Sequence, residues 1–380
     1  MATSLQVHDS PAAWKGSALD WQAEALHRLS ADQVAEIDGA LDHLKSLGDL
    51  DIPDITRDTF PLKATGHYLR DLRHELQTGR GFLLLRGLPR ERYSPDDLAR
   101  IYVGLGVHIG QPVAQSHRGE LLGSVVDVSD IVEKPRGYRA GGQQGFHSDG
   151  TACDVIGLMC LRRAKVGGKS RIVSSVSLYN ALVERRPDLA QVLCRGLPLR
   201  MHGPDAELSL SPGHTGGRPA PIFSFESGDF SCHMDAGNWL YAIKAGDTVA
   251  SAIELEAYET LQKFAASDEF HLDMTIDEGD IQFINNRKIL HSRLDYDDHD
   301  ELARRRYMLR LWLEITEWQP WPPDQRLITF DDARHFLRQR KPRMDFPSFY
   351  MGEMERLYAQ RRLEGAAMIR KKPFNRFAPA

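Results

Sequence analysis

The chain has 380 residues, 42% hydrophobic and 27% charged, with a net charge of −5 at pH 7. That length suits one large domain with extensions, or two domains, and buries a sizeable core without disulfide staples. The near-balanced charge leaves no electrostatic reason for nucleic acid or an anionic membrane to be the partner. No apolar run approaches the roughly 20 residues that span a bilayer. The N-terminus lacks a basic stretch followed by an apolar one, so no signal peptide is expected. The four cysteines, at 153, 160, 194 and 232, form no Cys-x-x-Cys pair, as expected of reduced packing thiols in a cytoplasmic protein.

The first 58 residues carry 11 acidic against 4 basic side chains. Within them Ser30-Ala31-Asp32-Gln33 reads as a capping box. Val34, Ile37, Leu41 and Leu44 follow at helical spacing, and Gly48 is a stop. A second helix is expected over 65–78, with Leu69, Leu72 and Leu76 on one face. Phe82-Leu83-Leu84-Leu85 then reads as a buried strand. Ser94 caps another helix, with Pro95 at its first position. From about 120 to 316, short apolar runs recur between Gly, Pro, Asn and Asp clusters: 121–128, 154–161, 170–176, 221–225, 279–285 and 307–315. That texture predicts a mainly β fold with flanking helices, an antiparallel sandwich or jelly roll. Helices are expected over 178–194 and 249–267. The tail from 331 is basic, 12 Lys/Arg against 6 Asp/Glu, and reads as helical over 348–369. The expected organisation is an acidic helical extension (1–60), a jelly-roll domain (61–320) and a basic helical extension (321–380). The oppositely charged ends are suited to pair with each other, within one chain or between subunits of a homo-oligomer.

The chemistry centres on His-x-Asp. Residues i and i+2 of a strand point to one face, about 6.6 Å apart along the chain, so an imidazole and a carboxylate there can take neighbouring positions on one metal. Two His and one carboxylate leave positions open for reactants, the arrangement of non-haem Fe(II) oxygenases. Three such triplets occur: His147-Ser148-Asp149, His233-Met234-Asp235 and His271-Leu272-Asp273. The first follows the Gly/Gln-rich GGQQGF and precedes a buried strand. In the last, Asp273 lies too close to His291 for a sandwich to be wrapped between them. His291 follows Asn285-Asn286-Arg287, a turn expected to orient it. Arg306 and Arg310 share a strand face, and an inward arginine needs an anion to pair with.

Five segments, GFLLLRGLP (81–89), FHSDG (146–150), GGKS (167–170), GDIQFINNRKILHSR (279–293) and RRYMLRLWL (305–313), stand in an order that resembles the taurine dioxygenase-like family of Fe(II)- and 2-oxoglutarate-dependent oxygenases. The resemblance spans roughly residues 60–316. It implies a double-stranded β-helix core with Fe(II) on His147, Asp149 and His291. It also implies 2-oxoglutarate as cosubstrate, its far carboxylate on Arg306 with Ser170 assisting. Arg310 matches a second family arginine, used for the cosubstrate or for an anionic substrate group.

The expected activity is oxidation, by hydroxylation, of an unactivated C–H in a small molecule, with succinate and CO2 as coproducts. The stretch 129–145 leads into His147 and reads as a lid. Lys134, Arg136, Tyr138, Arg139, Gln143 and Gln144 are its candidate substrate contacts. The alternative is a jelly-roll protein that binds a small molecule or a metal without turnover. GGKS is not a P-loop, because Arg163 stands where that motif needs glycine.

Overall fold

A computed structural model describes residues 5–133, 135–201, 203–210, 218–365 and 368–370. Lys134 and residues 371–380 of the basic tail lie outside them. Two sheets face each other. Their strands are β1 (Leu26–Arg28), β2 (Phe82–Arg86), β3 (Gln111–Pro112), β4 (Leu122–Val125), β5 (Gln144–His147), β6 (Val155–Arg162), β7 (Ser170–Ser174), β8 (His271–Met274), β9 (Ile281–Asn285), β10 (Ile289–Arg293) and β11 (Tyr307–Glu314). The larger sheet runs β1-β2-β9-β6-β11-β3, with β4 also on β11. The smaller runs β8-β7-β10-β5. Apart from the parallel β1–β2 pair, the ladders are antiparallel. The fold is mainly β with flanking helices, a jelly roll.

Alternation along the strands sorts the core into layers. Leu83 and Leu85 of β2, and Leu309, Leu311 and Leu313 of β11, face helices α1 (Ala31–Ser46), α2 (Ala64–Thr78) and α3 (Pro95–Ile109). Phe82, Leu84, Ile156, Ile284, Met308 and Trp312 fill the space between the sheets. Helices α4 (Ser175–Arg185), α5 (Pro187–Arg195), α6 (Ala236–Lys244) and α7 (Ala252–Ala266) cover the far side of the smaller sheet.

The capping box forms as expected at Ser30 and Gln33 of α1, and Ser94 caps α3 over Pro95. Other expectations need correction. The helix expected over 178–194 is two, broken at Arg186 before Pro187, since proline disfavours helical backbone in the residue before it. The run 170–176 leaves the sheet at Ser174, whose hydroxyl caps α4. Of 221–225 only Phe223–Ser224 pairs, in a two-residue ladder outside both sheets, because the Ile222 N–H is given to the Leu193 carbonyl at the end of α5.

The last helices are α8 (Phe330–Leu337) and α9 (Pro347–Leu363); the latter stops short of the expected residue 369, before Gly365 at φ +66°. The oppositely charged ends meet within this chain. Arg340 forks onto Asp51 at 2.7 and 2.8 Å and binds Asp345 at 2.6 Å, and Arg343 reaches Asp49 at 2.6 Å. Asp345 is fully enclosed and also accepts the Leu121 and Leu122 N–H groups at 2.8 and 3.0 Å, tying the C-terminal segment to the start of β4. Removing one partner of such a buried pair strands the other. Asp345→Ala should therefore lower unfolding free energy by about 3–5 kcal/mol in urea titration. Arg343→Ala, at the exposed rim, should leave the midpoint unchanged.

Candidate metal centre

β5 and β10 pair antiparallel with His147 directly opposite His291. The two imidazoles meet with ring centroids 4.2 Å apart. Asp149 lies just past the end of β5 rather than in it, yet its carboxylate turns back to the pair. Its Oδ1 is 3.9 Å from Nε2 of each histidine. The three side chains offer ligand atoms all within 4.8 Å of one another, the one such cluster among the described residues.

Each ligand is prepared for a cation. His147 Nδ1 lies 2.8 Å from the Gly145 carbonyl, so it carries the proton and the Nε2 lone pair faces Asp149. Burial, with His147 and Arg310 nearby, pushes His291 down to about 3 against the pull of Asp149, so its ring is neutral near pH 7. Burial alone would raise the Asp149 carboxyl; Arg310, the two histidines and Trp312 outweigh that and hold it below the usual carboxylate range. Trp312 Nε1 donates to Asp149 Oδ2 at 2.7 Å, and Arg310 lies 3.1 Å from the same oxygen. Arg310 Nη1 also donates to Oδ1 at 3.2 Å, so the guanidinium straddles both oxygens while Oδ1 faces the two imidazoles. Two histidines with one carboxylate fit Fe(II) with positions left open.

A cavity of about 60 Å³ opens beside the cluster, between the sheets. Ser170, Gln282, Arg293, Arg306, Tyr138 and Gln144 are among its walls. Ser170 Oγ donates to Gln282 Oε1 at 3.0 Å. Arg306 is 6% exposed, and its guanidinium makes no ion pair among the described residues. Arg310 differs: besides Asp149 it holds Gln115 Oε1 at 2.8 Å and lies between the Tyr138 and Trp312 rings, 4.5 and 5.0 Å from their centroids.

A sequence profile of the taurine catabolism dioxygenase TauD, TfdA family matches residues 48–312. The chain belongs to the TauD/TfdA family. It is 27% identical over 316 residues to FR-33289 synthase of Streptomyces rubellomurinus, covering 81% of this chain and 91% of that one. It is 28% identical over 312 residues to the taurine hydroxylase-like protein SAT17 of Stachybotrys chartarum, covering 79% and 77%. An asparagine oxygenase solved with Fe(II), 2S,3S-3-hydroxyasparagine and succinate shares the fold (TM-score 0.58, 17% identity, 76% of this chain and 93% of that one). So does the oxygenase OrfP with Fe and α-ketoglutaric acid (TM-score 0.56, 14% identity, 80% and 99%).

Against this TauD/TfdA frame, the other His-x-Asp pairs have separate roles. Asp235 caps α6, and Asp273 forks onto Arg171 at 2.6 and 2.9 Å. The Asn285–Arg287 turn does not orient His291. Asn286 instead accepts the Asp149 N–H at 2.9 Å and donates to the Cys153 carbonyl at 2.9 Å, while Arg287 pairs with buried Asp154. The turn therefore shapes the loop that carries Asp149.

The expected lid is a fastened strap. Arg293 binds the Ala140 and Gly142 carbonyls at 2.8 Å each, and Arg361 of α9 binds that of Ile131 at 2.9 Å. Arg136 is engaged by Asp205 at 2.8 Å. Arg139 is not among the cavity walls; it stacks on Tyr138 and on Tyr350 of α9, 5.3 and 5.0 Å from their centroids. Sequence reasoning missed Trp312, Gln282, Arg293 and Gln115. The first was findable, two positions from Arg310 on one strand face, as was Gln282, the polar residue within an apolar strand.

Outer partners of metal ligands typically shift affinity by about 10–100-fold. Trp312→Phe keeps the ring but removes the donor to Asp149, so it should weaken anaerobic Fe(II) binding by about that factor in calorimetric titration. His291→Ala should abolish it.

Proposed function

We propose that this protein is a non-haem Fe(II)- and 2-oxoglutarate-dependent dioxygenase that hydroxylates an unactivated C–H of a small-molecule substrate, releasing succinate and CO2. The observation that carries the reading is the shared cavity: a two-His, one-carboxylate cluster on one side, and the unpaired, buried Arg306 beside Ser170 on another. The iron and 2-oxoglutarate together would supply the oxidising equivalent from O2.

The chain supplies position and charge. His147, Asp149 and His291 would hold the metal, with Asp149 offsetting part of its charge. Arg306 presents a planar fork matched to one carboxylate, and Ser170 Oγ adds a hydroxyl at the same wall. On this reading the far carboxylate of 2-oxoglutarate goes to Arg306 rather than Arg310, whose donors Asp149 and Gln115 already engage. Tyr138, Gln144 and Arg310 form the walls on the strap side, where the substrate would approach. The oxygenases solved with Fe(II) or Fe and succinate or α-ketoglutaric acid support the cofactor assignment, and their amino-acid ligands support a small-molecule substrate.

Adding 2-oxoglutarate anaerobically to the Fe(II) protein should produce a metal-to-ligand absorption band, and in air with ascorbate the mixture should form succinate. Absence of both overturns the reading. Hydrogen bonds to a charged group are worth about 1.5–3 kcal/mol, so Arg306→Ala should raise the KM for 2-oxoglutarate by about 10–100-fold. Arg310→Ala should chiefly weaken iron retention, through Asp149.

A further inference from the structure

Two buried guanidinium groups line the metal-side cavity without a carboxylate to balance them. Arg293 and Arg306 are each 6% exposed, and both stand among its walls. No acidic residue is among those walls, and the third arginine there, Arg310, is committed to Asp149. Neither Arg293 nor Arg306 makes an ion pair among the described residues.

Strand geometry brings the two together. Arg293 stands two residues beyond His291 on β10, on the side of the strand that faces the cavity. Across the ladder it pairs directly with Ser170 of β7. Arg306 reaches the same wall from just before β11. Both guanidinium groups pack on the Tyr296 ring, 5.1 and 5.6 Å from its centroid.

Arg293 uses two of its three nitrogens on the strap. Nε donates to the Gly142 carbonyl at 3.1 Å, and Nη2 to the Ala140 and Gly142 carbonyls at 2.8 Å each. Nη1 has no partner among the described residues, and it is not sealed into the protein. The carbonyls satisfy donors but leave the charge unbalanced. Burial pushes Arg293 down to about 10, with Tyr296 opposing the fall and Arg306 adding to it; Asp127 and Asp295 attract it only from beyond ion-pair distance. An uncompensated buried cation is costly, and two that share a cavity repel each other. One carboxylate placed between them relieves both.

We propose that Arg293 is a second partner of the cosubstrate's far carboxylate: Nη1 takes an oxygen beside Arg306 while Nε and Nη2 keep the strap carbonyls. Through that one guanidinium, cosubstrate binding fastens the strap segment that carries Tyr138 and Gln144. The inference rests on the placement of 2-oxoglutarate on Arg306 proposed above.

2-Oxopentanoate keeps the keto-acid end and carries a methyl group where 2-oxoglutarate has its far carboxylate. Binding of each to the anaerobic Fe(II) protein is titrated through the metal-to-ligand absorption band. Arg293→Gln keeps donors for the strap and loses the charge. It should raise the Kd of 2-oxoglutarate by about tenfold and leave that of 2-oxopentanoate within about twofold. Arg293→Lys, which keeps the charge without the fork, should fall between wild type and the glutamine variant. Preserved 2-oxopentanoate binding certifies that the site is folded. An equal loss for both ligands, or no loss for either, would overturn the proposal, because Arg293 would then serve the strap alone. The wild-type protein gives a second reading without any substitution. 2-Oxoglutarate should slow amide hydrogen exchange over residues 138–144, and 2-oxopentanoate at matched saturation should not; equal slowing by both would also overturn it. Wild-type protein that binds no 2-oxoglutarate, or binds both keto acids equally, would overturn the cosubstrate reading itself and this inference with it.

Discussion

The site depends on keeping one carboxylate charged where water is nearly excluded. Asp149 is 7% exposed, and an isolated buried charge of that kind is costly. The cost is offset on two sides. From β11, Trp312 holds one oxygen and Arg310 straddles both, and the Asn286 amide holds the backbone from the β9–β10 turn. Oδ1 also faces two imidazoles, His291 kept neutral by burial and His147 oriented by its hydrogen bond to the Gly145 carbonyl. Several strands must therefore be in register before the carboxylate is in place.

That register comes from alternation. In β11 the odd positions, Tyr307 through Leu313, enter the helix-facing core. The even ones put Met308, Arg310 and Trp312 between the sheets, and Arg306 just before the strand points the same way. One face thus carries both the support for Asp149 and the unpaired guanidinium. A one-residue slip would send all of them into the helical layer.

The terminal segments share the same body. The N-terminal helix α1 and the C-terminal α9 contribute to the core cluster that backs the larger sheet. Tyr350 of α9 stacks on Arg139, Arg139 on Tyr138, Tyr138 on Arg310 and Arg310 on Trp312, an alternation of rings and guanidinium groups ending at Asp149. The segment read as a lid thereby acquires a floor and a fastening, both made by residues distant in sequence.

Local and periodic signals were legible in the sequence. The capping box at Ser30, the Ser94–Pro95 helix start, the inward face shared by Arg306 and Arg310, and the placement of His147 with Asp149 all follow from spacing, because strand and helix geometry repeat over a few residues; His291 came only with the family resemblance. The family resemblance was legible for the same reason: its motifs are short and contiguous. Tertiary structure alone decided what each charge meets. Arg310 and Arg306 look alike along the strand, yet one is drawn to Asp149 and Gln115 while the other stays unpaired in the cavity wall. The Asn285–Arg287 turn precedes His291 in sequence and serves Asp149 in space. A charged side chain's role is set by the nearest opposite charge or donor in a low-dielectric interior, and those neighbours arrive from strands more than a hundred residues away.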